Sequence, residues 1–248
     1  SDMVNEHARK IGQKIFIIED AAHALGASYK KSRVGSCEFS DMAILSFHPV
    51  KHITTAEGGA VLTNSFELYR RLKLFRSHGI TRDTDMLENP NNMPWGYEQH
   101  ELGYNYRISD LQCALGVSQM TRLDAWVERR RQIAALYRKA FTNHPHIQVL
   151  EDKDYGTNSY HLFVVKLPFE KLGGRSKVMM ELKEKGIVTQ VHYIPVHTQP
   201  YYKKHLGTDW GHFPKAEAYY QSCLSIPMYP GLTDADVERV VGEINSLF

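Results

Sequence analysis

The sequence predicts an α/β protein in two parts: a large domain over residues 1–122 built on a parallel sheet, and a smaller α+β domain over residues 123–248 that includes the linking helix. Three observations lead there. Short apolar runs without polar alternation, such as Ile15-Phe-Ile-Ile18, read as strands covered on both faces, as parallel sheets are. Segments with apolar residues at helical spacing lie between or after them. Beyond residue 123 the pattern changes to a strand–helix–strand–helix set.

Taken in order, Val4–Gln13 reads as a short helix and Ile15–Glu19 as the first buried strand, which delivers Asp20 at its end. Ala43–Phe47 and Ala60–Thr63 are two more such strands. Phe66–Phe75 is helical, because Leu68, Leu72 and Phe75 share one face. His78–Gly103 is rich in Asn, Pro, Gly and aromatics and reads as a long loop, a length uncommon unless functional or disordered. Ser109 suits the N-cap of a helix through Gln119. A longer helix over Leu123–Phe141 carries Arg129-Arg130-Arg131, read as its solvated face. In the second domain, Tyr160–Leu167 and Ile187–Tyr193 read as strands. Ser176–Lys185 reads as a helix stopped by Gly186, and Pro214–Ser222 and Asp234–Leu247 as helices, the last capped by Thr233.

Composition narrows the function classes. The 248 residues are 42% hydrophobic and 23% charged, with a formal net charge of +2, so bulk electrostatics point to neither nucleic acid nor a membrane surface. No apolar run is long enough to span a bilayer and no signal peptide is visible at the start. The three cysteines, Cys37, Cys113 and Cys223, are far apart and form no C-x-x-C pair, which fits a reducing compartment and disfavours a disulfide framework or zinc ribbon.

The chemistry concentrates in Ser46-Phe-His-Pro-Val-Lys51-His-Ile-Thr-Thr-Ala-Glu-Gly-Gly59. One lysine follows a buried strand and precedes a polar turn closing on two glycines, which allow close backbone approach. A lysine projecting into a cavity can lose its proton and attack a carbonyl. Asp20 brings a carboxylate to the end of a neighbouring strand. An imine-forming amine together with an anion that keeps a pyridine nitrogen protonated is what pyridoxal phosphate (PLP) chemistry requires.

Each residue also has a plainer role. Asp20 can simply cap the next turn; beside Lys51, the pyridine contact is favoured. His23, three residues on, is balanced between a partly buried structural histidine and a contact with the ring oxygen or substrate. Ser46 is either a phosphate donor or an ordinary strand-end serine, and Tyr104-Asn105-Tyr106-Arg107 either an anion contact at a helix start or a cap-and-turn segment. His48 and His52 stand four apart but lack the glutamate of H-E-x-x-H and any helical periodicity, so no metal is assigned.

Several stretches resemble the DegT/DnrJ/EryC1/StrS family of nucleotide-sugar aminotransferases: Glu19-Asp-Ala-Ala-His-Ala-Leu-Gly26, Ser46 to Lys51, Glu57-Gly-Gly59, Arg76-Ser-His-Gly79, Gly103-Tyr-Asn-Tyr-Arg107, Gln190-Val-His-Tyr-Ile-Pro-Val-His197 and Leu224-Ser-Ile-Pro-Met-Tyr-Pro230. They cover nearly the whole chain in order. The resemblance implies PLP-dependent transferase fold type I, here with a partial large domain and the smaller C-terminal domain. It implies Lys51 as the Schiff-base lysine that also shuttles the substrate proton, Asp20 on the pyridine nitrogen, and His23 near the phenolic oxygen. Ser46 would help hold the phosphate, and Asn105 would reach the phosphate of the neighbouring subunit's cofactor in a homodimer. Arg107, His192 and Tyr193 are assigned to substrate.

The stretch from Pro94 through Tyr97 to Arg107, with Gln190-Val-His-Tyr193, favours the pseudaminic-acid branch of the family; the lipid A aminoarabinose branch shares Asp-Ala-Ala-His. The implied reaction moves an amino group from L-glutamate to a 4-keto-6-deoxy UDP-sugar in the cytoplasm. Sugar dehydratases of the family replace the lysine with histidine, so dehydration ranks below transamination, and an inactive binding subunit is the further alternative. Family members carry a sizeable segment before the strand ending in Asp20, so this chain is expected to be N-terminally truncated and, alone, to bind PLP weakly.

Overall fold

The computed structural model describes residues 2–89 and 95–248; Pro94, one of the branch-marking residues, lies outside them. The chain divides into two compact units. The first runs to Asp124 and takes in Tyr155–Thr157; the second comprises Ala125–Asp154 and Asn158–Phe248.

The first unit begins with helix α1 (Asp2–Ile11) and strands β1 (Ile18–Asp20), β2 (Ser28–Tyr29), β3 (Ser32–Arg33), β4 (Met42–Ser46) and β5 (Gly59–Leu62). Helix α2 (Phe66–Arg76), strands β6 (Ile80–Thr81) and β7 (Glu98–Gln99), and helix α3 (Asp110–Met120) follow. The sheet β1-β4-β5 carries the candidate chemistry. β1 lies parallel to β4, with Asp20 beside Ile44, and β5 lies antiparallel to β4, with Ser46 beside Gly59. The second pairing corrects the expectation of an all-parallel sheet: the turn between β4 and β5 folds the chain straight back, closed by Phe47 N–H to Gly58 O and Thr55 N–H to Phe47 O.

The expectation that both faces are covered is also corrected. Ala43 and Leu45 are buried on one face, whereas Ile18, Ile44 and Val61 on the other keep 54%, 40% and 43% of their surface exposed. Unbroken apolar runs specify strands suited to two covered faces, but the described residues of this unit cover only one. The long loop after α2 contains the antiparallel β6–β7 pair, so it is partly ordered by its own backbone bonds.

Helix α4 (Leu123–Phe141) crosses from the first unit into the second, which continues with β8 (Gln148–Val149), β10 (Phe163–Lys166), α5 (Arg175–Glu184), α6 (Pro200–Leu206), α7 (Pro214–Ser222), β11 (Cys223–Ile226) and α8 (Asp234–Asn245). Between β8 and β10, the short β9 (Gly156–Thr157) belongs to the first unit, where it pairs with β2. The antiparallel sheet β11-β10-β8 supports a single sealed core in which Tyr137, Phe141, Val165, Leu182, Leu224 and Ile244 are fully buried. Gly186 ends α5 at φ 74°, as its position after the last helical turn suggests.

Two expectations fail in this unit. Ile187–Tyr193 is not a strand: its one bridge is Gln190 to Ser225, and Pro195 soon interrupts further pairing. The triple-arginine run is not a solvated face. Arg130 is buried, and its Nη1 donates to the carbonyls of Tyr160, His161 and Met228 at 3.1, 3.3 and 2.9 Å. Burial lowers its guanidinium to about 10. Arg129 reaches Leu232 O and Asp234, and Arg131 reaches Asn158 O. A guanidinium satisfies several carbonyls at once, so the run ties irregular segments together.

Candidate active site

Lys51 sits in a tight turn after β4, its backbone N–H bonded to His48 O at 2.9 Å. His52, Ile53 and Thr55 beside it are buried, so the lysine rises from a packed wall and is itself half-buried. Two threonines hold the turn. Thr54 Oγ1 donates to Phe47 O at 3.1 Å and accepts from Ala56 N–H at 2.9 Å, while Thr55 Oγ1 donates to Glu57 O at 2.8 Å. A Cβ on Gly58 would meet Thr55 Oγ1 at 2.4 Å and one on Gly59 would meet Leu45 O at 2.7 Å, so both positions need glycine for close approach.

Burial pushes the Lys51 ammonium below its ordinary value, and the Asp20 carboxylate opposes that shift. Asp20 ends β1 and Lys51 follows β4, the parallel neighbour of β1, so the charge of the carboxylate reaches the amine. Asp20 Oδ1 also accepts from Ala22 N–H at 3.2 Å, so the turn-capping role foreseen as its alternative is present. His23 is half-buried in the turn that follows, where Ala24 N–H bonds to Ala21 O at 2.9 Å. Ser46 ends β4, and its Oγ accepts from His48 N–H at 3.4 Å.

Asn105 and Arg107 are exposed on the segment leading into α3. That segment is fastened to the end of α2: Asn105 bridges Ser77, Tyr104 N–H bonds to Phe75 O and Tyr106 N–H to Arg76 O. Ser109 caps α3 in a capping box with Gln112. Gln112 was not foreseen; its Nε2 donates to Glu57 O at 2.9 Å and ties α3 to the lysine turn. The Ser-x-x-Gln capping pattern was the visible signal for its place, but not for this second bond.

His192 and Tyr193 belong to the C-terminal unit. His192 Nδ1 lies 2.7 Å from Ser225 Oγ, and Tyr193 is exposed. His48 and His52 flank a turn rather than lying on a helix, and His48 Nε2 stands 3.9 Å from Glu57 Oε1. Among the described residues no group of three or more His, Cys, Asp or Glu side chains could hold a metal ion, and no helix is long and apolar enough to cross a membrane.

A lysine in a strand-end turn, an aspartate on the adjoining strand and a C-terminal unit of helices on an antiparallel sheet define a class that comparison identifies. The chain belongs to the DegT/DnrJ/EryC1/StrS aminotransferase family, whose profile matches residues 2–245. It is 39% identical over 246 residues to the UDP-4-amino-4,6-dideoxy-N-acetyl-beta-L-altrosamine transaminase of Campylobacter jejuni, covering 99% of this chain and 61% of that protein. Among solved structures, Helicobacter pylori PseC, an aminotransferase of pseudoaminic acid biosynthesis, matches with TM-score 0.85 and 29% identity, covering 100% of this chain and 62% of that one. The PLP form of the sugar aminotransferase Spr1654 of Streptococcus pneumoniae matches with TM-score 0.82 and 28% identity, covering 96% and 59%. The fold is accordingly that of the fold-type-I aminotransferases. The chain spans about 60% of the length of the curated relatives it matches.

Proposed function

We propose that the protein acts as a PLP-dependent aminotransferase on a nucleotide sugar, moving an amino group from L-glutamate to a 4-keto-6-deoxy UDP-sugar for a pseudaminic-acid type of surface glycan. The observation that carries this reading is Lys51, whose amine is lowered by burial and faced by the Asp20 carboxylate. The donor set fits PLP: an amine for the aldehyde, a carboxylate for the pyridine nitrogen, and the Ser46 hydroxyl for the phosphate. When bound, PLP would serve as an electron sink for a carbanion at the substrate carbon. Lys51 would provide the covalent link and then move the proton at that carbon, with its lowered proton affinity suiting both tasks. Asp20, pinned through Oδ1 by Ala22, would orient the ring, and His23 would hold its phenolic oxygen. Asn105 and Arg107, on a segment fixed to α2, and His192 and Tyr193 are the remaining contacts for phosphate or substrate.

A homodimer is part of the reading. Leu111 and Val117 of α3 keep 86% and 70% of their surface exposed, and Tyr104 and Tyr106, stacked at 4.7 Å, are exposed just before the helix. Apolar surface of this kind supports a partner copy near Asn105. Three free thiols suit a reducing cytoplasm. The testing experiment supplies PLP, 15N-labelled L-glutamate and a UDP-4-keto-6-deoxy sugar, and follows 15N into the sugar. Incorporation that vanishes in Lys51→Ala is expected; incorporation that survives Lys51→Ala removes the reading.

A further inference from the structure

The segment after α5 bridges β11 at Ser225, and that contact is made twice over. Gln190 N–H donates to Ser225 O at 3.1 Å and Ser225 N–H to Gln190 O at 2.8 Å. Two residues on, His192 returns to the same serine through its ring, with Nδ1 2.7 Å from Ser225 Oγ. The His192 backbone also engages the Cys223 thiol, so this part of the segment is seated along the strand. Ser225 is 5% exposed, between Leu224 and Ile226 on a fully buried strand.

Among the described residues, Nδ1 is the one partner of the Ser225 hydroxyl. If Nδ1 carried the proton, the hydroxyl would accept from it and its own O–H would be left buried without an acceptor. Donating to Nδ1 instead satisfies the O–H, and the neutral ring then carries its proton on Nε2. We propose that Ser225 is a positioning residue that holds His192 as the Nε2–H tautomer, so that what His192 reads on a ligand is an oxygen acceptor, a phosphate or sugar oxygen of a nucleotide sugar. The ligand half of this inference rests on the proposed role of His192 at substrate; the tautomer half does not.

Histidine-selective 15N labelling of the full chain, with long-range proton–nitrogen correlation on the neutral ring, reads the tautomer directly, and His192→Gln assigns the signal. A pyridine-type Nδ1 and pyrrole-type Nε2 are expected, collapsing toward a tautomer mixture in Ser225→Ala and kept in Ser225→Thr, which retains the hydroxyl. An Nδ1–H ring in the parent protein, or a pattern unchanged by Ser225→Ala, overturns the positioning role. Titration with UDP-N-acetylglucosamine tests the ligand: Ser225→Ala and His192→Gln should each weaken binding roughly 3- to 10-fold, the worth of one hydrogen bond. A tautomer that responds as expected while both variants bind with parental affinity overturns the ligand half and leaves the proposed aminotransfer intact.

Discussion

The two units solve the burial problem differently. In the C-terminal unit, α4, α5 and α8 and the sheet β11-β10-β8 enclose one continuous core, and even an arginine is drawn inside to satisfy three carbonyls. In the N-terminal unit, Lys51 and Asp20 lie on a three-stranded sheet with one open apolar face, and α3 presents further apolar residues to the outside. The sealed apolar core thus lies in one unit, and the candidate lysine and aspartate in the other. A lysine turn pinned by Thr54, Thr55 and Gln112 can be locally exact in its bonding while the sheet beneath it still has surface to cover.

That contrast can be broken by mutation. Leu224→Ala should cost about 2–5 kcal/mol in urea unfolding, as a cavity in a closed core does, whereas Ile44→Ala should stay within about 1 kcal/mol. If Ile44→Ala proves as costly as Leu224→Ala, the open face is covered in solution and the contrast fails. Helix caps give a smaller effect of matched size. Thr233→Ala and Ser109→Ala each remove a capping box and should each cost about 1 kcal/mol. The comparison predicts that they shift two separate unfolding transitions rather than one.

Acid should sharpen it further. Burial pushes the Glu217 carboxyl up, but the amides of Gly211 and Phe213 and the His197 ring outweigh this and hold it below its ordinary value. A carboxylate depressed in the folded state contributes stability that is present above its unfolded value and is lost as pH falls through the folded one. Glu217→Gln should therefore flatten the acid limb of the C-terminal transition, read by circular dichroism, and leave the first unit's limb unchanged. The smallest effect is at Lys51. The Asp20 carboxylate raises its proton affinity, so Asp20→Asn should lower it further, increase the neutral amine at mildly alkaline pH and speed its trace acetylation. Unchanged or slower acetylation would mean that the charge of Asp20 does not hold up the proton affinity of Lys51.

Much of this was legible in the sequence where a local rule governs. Ser109 and Thr233 announced their helices through capping patterns, Gly186 ended α5, and Lys51 and Asp20 were marked by strand-end placement. What escaped depends on partners distant in the chain. The two-residue strand β9 pairs with β2 across more than a hundred residues, and β2 and β3 form a hairpin too short to show any alternation. β11 is short and wholly buried, with no alternation to betray it. Ile187–Tyr193 has strand composition but finds only Ser225 to pair with. Arg130 looked like surface charge because the carbonyls that draw it inward come from residues 160, 161 and 228. At the site, the placement of Asp20 at a strand end and of Lys51 in the turn after a strand could be read, but the bond from Gln112 to Glu57 could not, since it joins a helix start to a turn 55 positions away.

The most direct test of the central claim is to incubate the chain with PLP, reduce it with borohydride and map the modified peptide by mass spectrometry. The account predicts a reduced pyridoxyl group on Lys51 above all other lysines, lost in Lys51→Ala and diminished in Asp20→Asn. Label spread over surface lysines with Lys51 unmodified would contradict it.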